Sequence, residues 1–185
     1  MTLKPILVTG LMGCGKTSIA NILISKFGFT RASMAEWIKQ TVKTHYGLVD
    51  IDKSMVINDK PMRTILQEVG MYMRDIDPNW HLDEMLNKIK QNDIKLFVID
   101  DLRFINESEK IRDEFDCITI KVTCDENKRI DRMIVRDSVI PTESQLNDKS
   151  ESEVDNIPYN YIINNNGTAS DLLDQLNVII KEVLR

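Results

Sequence analysis

Apolar residues occur in two rhythms along the chain. Short runs of strand-like residues at 6–9, 29–32, 96–100, 117–123 and 159–163 predict five strands. Stretches spaced by three and four separate them: Ile19, Ile22, Leu23 and Phe27; Met34, Ile38 and Val42; Leu82, Met85, Leu86 and Ile89; Leu172, Leu176, Ile179, Ile180 and Val183. Ser33 with Glu36 reads as a capping box for the second helix, and Asp77-Pro78 as a start with proline at the first helical position. Alternating strands and helices predict an α/β fold with a parallel sheet.

Two segments break the rhythm. Residues 34–93 are too long for an ordinary crossover and predict an all-helical insertion between the second and third strands. Residues 138–155 are polar, have almost no apolar period, and predict a surface loop or lid. The domain reading is one domain over 1–185, with a core of 1–33, 94–137 and 156–185.

Composition adds little to the fold and more to the class. Of 185 residues, 42% are hydrophobic and 29% charged, which excludes wholesale disorder and a membrane bundle. The net charge of −5 argues against a nucleic-acid coat or an anionic-membrane binder. Three cysteines, Cys14, Cys117 and Cys124, have neither disulfide nor zinc spacing and point to a reducing cytoplasm. His45 and His81 have no partner pattern, and they read, with Trp37 and Trp80, as packing or surface residues.

The first strand runs into Gly10-Leu11-Met12-Gly13-Cys14-Gly15-Lys16-Thr17, followed by Ser18 and an amphipathic helix. This G-x-x-x-x-G-K-[ST] pattern lets backbone N–H groups surround a polyphosphate at a helix N-terminus. Lys16 would reach the β and γ phosphates, and Thr17 would ligate Mg²⁺. The third strand ends in Asp100-Asp101, where such proteins place the acid that holds the metal, and either residue suits the role.

The stretch from Pro61 to Arg74 carries Arg63, Gln67, Gly70 and Arg74 on one helical face, opposite Met62, Ile65, Leu66, Val69 and Met73. Two arginines and an amide suit a phosphate ester and a base, and an interior glycine predicts close approach by a ligand or another backbone. Arg129, Arg132 and Arg136 form a second stripe leading into the polar loop, with Ile130, Met133 and Ile134 on the core side. Arginines on a lid can stabilise the charge of a transferring phosphoryl group.

These features together resemble the nucleoside monophosphate kinases, and most of all the bacteriophage deoxynucleoside monophosphate kinases. The residues are Arg63-x-x-Leu66-Gln67-x-x-Gly70-x-x-x-Arg74, then Asp77-Pro78-x-Trp80, then Asp101-Leu102-Arg103-Phe104-x-Asn106-Glu107. The likeness spans about residues 6 to 184 and includes Ser150-Glu151 and the Asn165-Asn166-Gly167-Thr168 turn. It implies a three-layer P-loop fold with a five-stranded parallel sheet, a helical acceptor-binding insert and a lid. The implied activity is transfer of the ATP γ-phosphoryl to a deoxynucleoside 5′-monophosphate in the cytoplasm, the host's if phage-encoded. It assigns ATP and Mg²⁺ to the P-loop, and to Arg132 for ATP; the acceptor goes to Arg63, Gln67, Gly70, Arg74, Trp80 and Arg103. Arg132 and Arg136 would close over the transferring group, and Asp101 would orient Arg103 or the metal. Related kinases include dimers, so a homodimer is an open expectation. Dephospho-CoA kinase is the enzymatic alternative. Shikimate kinase is disfavoured by Arg31-Ala32-Ser33-Met34, which lacks an acid pair, and a non-catalytic nucleotide binder is the alternative outside enzymes.

Residues 138–155 carry five acids against one base, so the excess negative charge lies mostly there. A cationic cleft elsewhere is compatible with the global balance.

Overall fold

The computed structural model describes residues 3–52, 54–137, 140–146 and 148–184. The expected lid start at Ser138, residues Val139 and Asn147, and the side chain of Ser150 lie outside the described set. In chain order the main elements are β1 (Ile6–Thr9), α1 (Lys16–Phe27), β2 (Thr30–Ala32), α2 (Ala35–Tyr46), β3 (Val56–Ile57) and β4 (Lys60–Pro61). Next come α3 (Met62–Ile76), α4 (Trp80–Gln91), β5 (Phe97–Ile99), α5 (Ile105–Glu114) and β6 (Ile118–Thr123). The chain ends with α6 (Glu126–Asp137), α7 (Glu143–Leu146), α8 (Lys149–Ser152), β7 (Tyr161–Asn164) and α9 (Ala169–Val183).

Five strands form one parallel sheet in the order β2-β5-β1-β6-β7, as the strand runs predict. Alternation along β1 explains the three layers. Ile6 and Val8 enter a core with Ile19 and Leu23 of α1 and Leu172 and Leu176 of α9. Leu7 enters the opposite core with Leu82 and Leu86 of α4, Phe97 and Ile99 of β5, and Ile111 of α5. Both faces of the sheet are therefore covered, as a parallel sheet requires. Each fully buried aliphatic side chain contributes about 1.5–3 kcal/mol, so the apolar stripe of α9 alone fixes that helix to the sheet.

Between β2 and β5 the chain builds its own small core from Val42 of α2 and Met62 and Ile65 of α3. The all-helical expectation misses a hairpin here: β3 and β4 pair antiparallel through Asn58 and Asp59, with φ of 49° and 61°. Asn and Asp tolerate the left-handed region that a two-residue hairpin turn needs. Ser33 does not cap α2, because its hydroxyl donates to Asp101 at 2.8 Å instead. Pro78 lies in a turn before α4 and not at its first position; Asp77 accepts from the Asn79 N–H at 3.0 Å.

The polar segment after α6 is not a solvated loop. It folds into α7, α8 and a 3₁₀ turn at Val154–Asn156. Val154 and Ile157 are fully buried, and so is Glu151. Only two of these three buried side chains are apolar, too few for a periodicity test to register.

Candidate functional site

The sheet order places the C-terminal ends of β1 and β5 side by side, and a cleft of about 890 Å³ opens above them. Its floor is the loop between β1 and α1. Gly13 and Gly15 have φ of 85° and 104°, in the left-handed region that favours glycine. A Cβ on Gly13 would meet the Arg129 carbonyl oxygen at 2.5 Å, and one on Gly15 would collide with Asn165. The loop is thus clamped from behind by α6 and by the turn after β7. Asn165 completes the clamp by donating from Nδ2 to the Cys14 carbonyl at 2.8 Å.

Lys16 is buried in this loop, with Nζ donating to the carbonyls of Gly10 (2.5 Å) and Leu11 (3.0 Å). Burial, reinforced by the positive charge of Arg103, lowers its pKa to about 8. Thr17 and Ser18 are exposed in the cleft. Met12, Gly13 and Gly15 line it too; Gly10, Leu11 and Cys14 do not, and Leu11 and Cys14 face a small cavity on the far side of the loop.

Asp100 and Asp101 both reach the cleft, with different surroundings. Asp100 accepts from Arg31 Nη2 at 3.1 Å and acts electrostatically on Lys16. Asp101 turns toward β2 and α2, where Oδ2 accepts from Ser33 Oγ at 2.8 Å and from the Ala35 N–H at 2.7 Å. Its Oδ1 is buried without a partner among the described residues, and burial raises its pKa. A P-loop Mg²⁺ needs a hydroxyl and a nearby carboxylate, the remaining ligands being phosphate and water, and Thr17 with Asp100 fits that set. Among the described residues no cluster of three or more His, Cys, Asp or Glu side chains that could hold a metal occurs.

The rest of the cleft lining is arginine-rich. Arg63, Gln67, Gly70 and Arg74 of α3 all line the cleft, together with Arg103, Arg132 and Arg136. The space above Gly70 is taken by a side chain: an added Cβ would meet Ile38 Cδ1 of α2 at 2.9 Å and Arg74 Nη1 at 3.2 Å. The glycine therefore accommodates helix packing and the Arg74 head, and no second backbone.

Carboxylates hold four of these arginines. Arg74 Nη2 donates to Glu107 Oε1 at 2.9 Å, and its guanidinium lies 4.7 Å from the Phe104 ring centroid. Glu107 is 2% exposed, and its Oε2 accepts from the N–H groups of Arg103 (2.9 Å) and Phe104 (3.1 Å), capping α5. Arg103 Nη1 pairs with Glu151. Asp137 receives Arg63 Nη2, and also Arg136 from Nε and Nη2 at 2.9 Å each. Arg63 Nη1 also meets the Met12 sulfur.

The α6 stripe divides. Arg132 donates from Nη2 to the Asn165 carbonyl at 2.9 Å, and Nη1 is buried without a partner among the described residues. Arg129 is buried behind the P-loop beside Glu126 and does not join the cleft. Trp80 does not line it either; it packs edge-on against Trp37 and His81, with centroids 6.4 Å and 4.8 Å apart. Sequence reasoning assigned no role to Glu107, Asp137 or Glu151. Only Glu107 had a local signal, since it follows Phe104 at the spacing of a capping acid.

A parallel sheet in this order, with a glycine loop and lysine at the start of α1, defines the P-loop kinase fold. The chain belongs to the AAA_18 family of AAA domains, whose profile matches residues 6–154. No curated protein sequence matches it. Among solved structures it is similar to shikimate kinase from Acinetobacter baumannii, at 18% identity and TM-score 0.58, covering 100% of this chain and 97% of that one. Dephospho-CoA kinase from Campylobacter jejuni is similar at 18% identity and TM-score 0.50, covering 97% of both chains. A gluconokinase from Sinorhizobium meliloti 1021 is similar at 11% identity and TM-score 0.54, covering 98% of this chain and 95% of that one. At these identities the likeness is one of fold.

Proposed function

We propose that the chain is an ATP- and Mg²⁺-dependent kinase that phosphorylates the 5′-phosphate of deoxynucleoside monophosphates. The observation that carries the reading is the convergence of Arg63, Arg74, Arg103 and Arg136 on the cleft that the P-loop lines. So many bidentate anion ligands suit an anionic acceptor, and a phosphate offers them more oxygens than a carboxylate does. Gln67, beside Arg63 and Arg74, suits the edge of a base.

In this reading residues 34–93 form the acceptor-binding insert and 138–155 the lid. The backbone N–H groups of Gly13 to Thr17 hold the β-phosphate, Lys16 neutralises the β and γ oxygens, and Arg132 supports the nucleotide from α6. Thr17 and Asp100 would hold Mg²⁺, which would supply charge neutralisation on the phosphates. An oxygen of the acceptor phosphate forms the new bond to the γ-phosphorus while the bond to the β-bridging oxygen breaks, leaving ADP. Arg63, Arg74 and Arg103 hold the acceptor phosphate, and Arg136 faces the transferring group. No proton is removed from the acceptor, because its attacking oxygen is already ionised.

A second reading, a kinase for a hydroxyl acceptor such as dephospho-CoA, is favoured by Asp101, whose buried, unpaired Oδ1 could accept a proton. ADP release measured across dGMP, dTMP, dCMP, dAMP, AMP, dephospho-CoA, shikimate and gluconate separates the two. Turnover with at least one deoxynucleotide is expected. Turnover restricted to a non-nucleotide or to dephospho-CoA overturns the proposal.

A further inference from the structure

Glu151 comes from the segment whose sequence reads as solvated, yet its side chain is 4% exposed and lines the cleft at the P-loop. Oε2 accepts the Met12 N–H at 2.7 Å, and Oε1 pairs with Arg103. Arg103 is thereby fixed at both ends, its backbone N–H by Glu107 at 2.9 Å and its head by Glu151. A buried carboxylate is costly unless its partners are fixed. Here the partners are the front of the phosphate loop and an acceptor-side arginine, about ninety residues apart in sequence.

Two roles would fit an internal anion at this place, and they differ in sign. A plug would occupy the cradle and leave when ATP enters. An anchor would remain and hold Arg103. Among the described residues no side chain accepts from the N–H groups of Gly13, Gly15, Lys16 or Thr17, so Glu151 engages the edge of the loop and leaves the cradle clear. Lys16 is likewise turned to the loop carbonyls and not to Glu151.

We infer that Glu151 is a positioning residue that bolts Arg103 to the P-loop, so that an acceptor phosphate on Arg103 is held at a set distance from the γ-phosphoryl group. The inference rests on the proposed role of Arg103 in binding that phosphate. Glu151 acts through Arg103 and touches neither reacting atom.

The test is a double-mutant cycle on the full chain with Glu151→Gln, Arg103→Gln and the pair, measuring kcat and acceptor KM. Affinity for a fluorescent ATP analogue is measured without acceptor. Glu151→Gln keeps an oxygen for Met12 and loses the ion pair. It is expected to lower kcat/KM for the acceptor about tenfold or more, with analogue affinity changed less than about threefold. In the Arg103→Gln background the same change is expected to cost less than about twofold. Glu151→Asp, too short for both partners, gives the same sign and replaces Glu151→Gln if that variant melts below the assay temperature.

Multiplicative losses in the pair, a parallel loss of analogue affinity, or a gain in activity from Glu151→Gln each overturn the anchor; the last identifies a plug. The cycle is run with whichever acceptor turns over. Additive variants alongside normal deoxynucleotide turnover therefore overturn only the role of Glu151. Absence of turnover with every acceptor removes the phosphate on which the role depends and overturns both readings.

Discussion

Glu107 joins Arg74 of the cleft to the loop after β5, and removing it gives a measurable prediction. Its carboxylate takes three donors: the Arg74 guanidinium and the N–H groups of Arg103 and Phe104. Glu107→Ala leaves the Arg74 charge, 15% exposed, without its partner, and strands two backbone donors at the start of α5. Breaking a buried ion pair from one side costs about 3–5 kcal/mol. Glu107→Gln retains a carbonyl for the two N–H groups but turns an amide NH2, itself a donor, toward Arg74; the ion pair is lost and the cap of α5 kept, so about half that cost is expected. Burial raises the Glu107 pKa although Arg74 opposes the shift, so desolvation outweighs the ion pair, and the carboxylate serves to place its donors. Urea unfolding followed by circular dichroism reads the result. With a denaturant slope of roughly 2 kcal/mol per molar, the midpoint of Glu107→Ala should fall by about 1.5–2.5 M, and that of Glu107→Gln by about 1 M. A loss under about 1 kcal/mol for Glu107→Ala would refute the reasoning. So would equal losses for the two variants.

Three other expectations concern single groups. Lys16 titrates near pH 8 in the free protein, so affinity for an ATP analogue should fall as the pH rises above about 8, while below it the ammonium is intact; a flat profile from pH 7 to 9.5 contradicts the buried cradle lysine. His81 is 2% exposed, with both ring nitrogens unpartnered among the described residues, and burial, aided by Arg74, lowers its pKa to about 4. The unfolded chain binds the proton first, so stability present above pH 6.5 is lost as the pH falls toward 4. Relative to His81→Leu, the melting temperature should drop by about 5 °C over that window, and parallel pH profiles would exclude this role. Asp101→Asn separates the two functional readings: with a phosphate acceptor kcat should fall less than about tenfold, whereas loss of a general base would cost about 10²-fold or more.

The sheet and its two helical layers were legible because both signals are strong: β1 is an unbroken apolar run, as a strand buried on both faces must be, and α9 keeps its stripe for four turns. The hairpin at Asn58-Asp59 was hidden by strands of two residues, too short for any period to register. Lys16, Arg63 and Arg74 could be picked out because a glycine loop and a helical face are local patterns, and Arg103 through the resemblance at Asp101 to Glu107. Of their carboxylate partners only Glu107 has a local signal. Glu151 meets Met12 across 139 positions and Arg103 across 48, and Asp137 meets Arg63 across 74, distances over which sequence spacing carries no signal. The same limit explains Arg129, which shares a stripe with Arg132 and Arg136 but is turned behind the loop by the packing of α6 against Gly13.

The clamp behind the P-loop also sets an order of events. The loop is encoded by residues 10–17, yet Gly13 rests on the backbone of Arg129, and the Cys14 carbonyl is held by Asn165, 151 positions later. During synthesis the loop sequence is therefore made 151 positions ahead of the residue that holds its Cys14 carbonyl. Nucleotide binding becomes a late event, dependent on long-range contacts that close slowly. Termination between Thr17 and Asn165 yields a product with the motif intact and the cradle unsupported, which makes ATP retention a convenient report on whether this part of the chain has been completed.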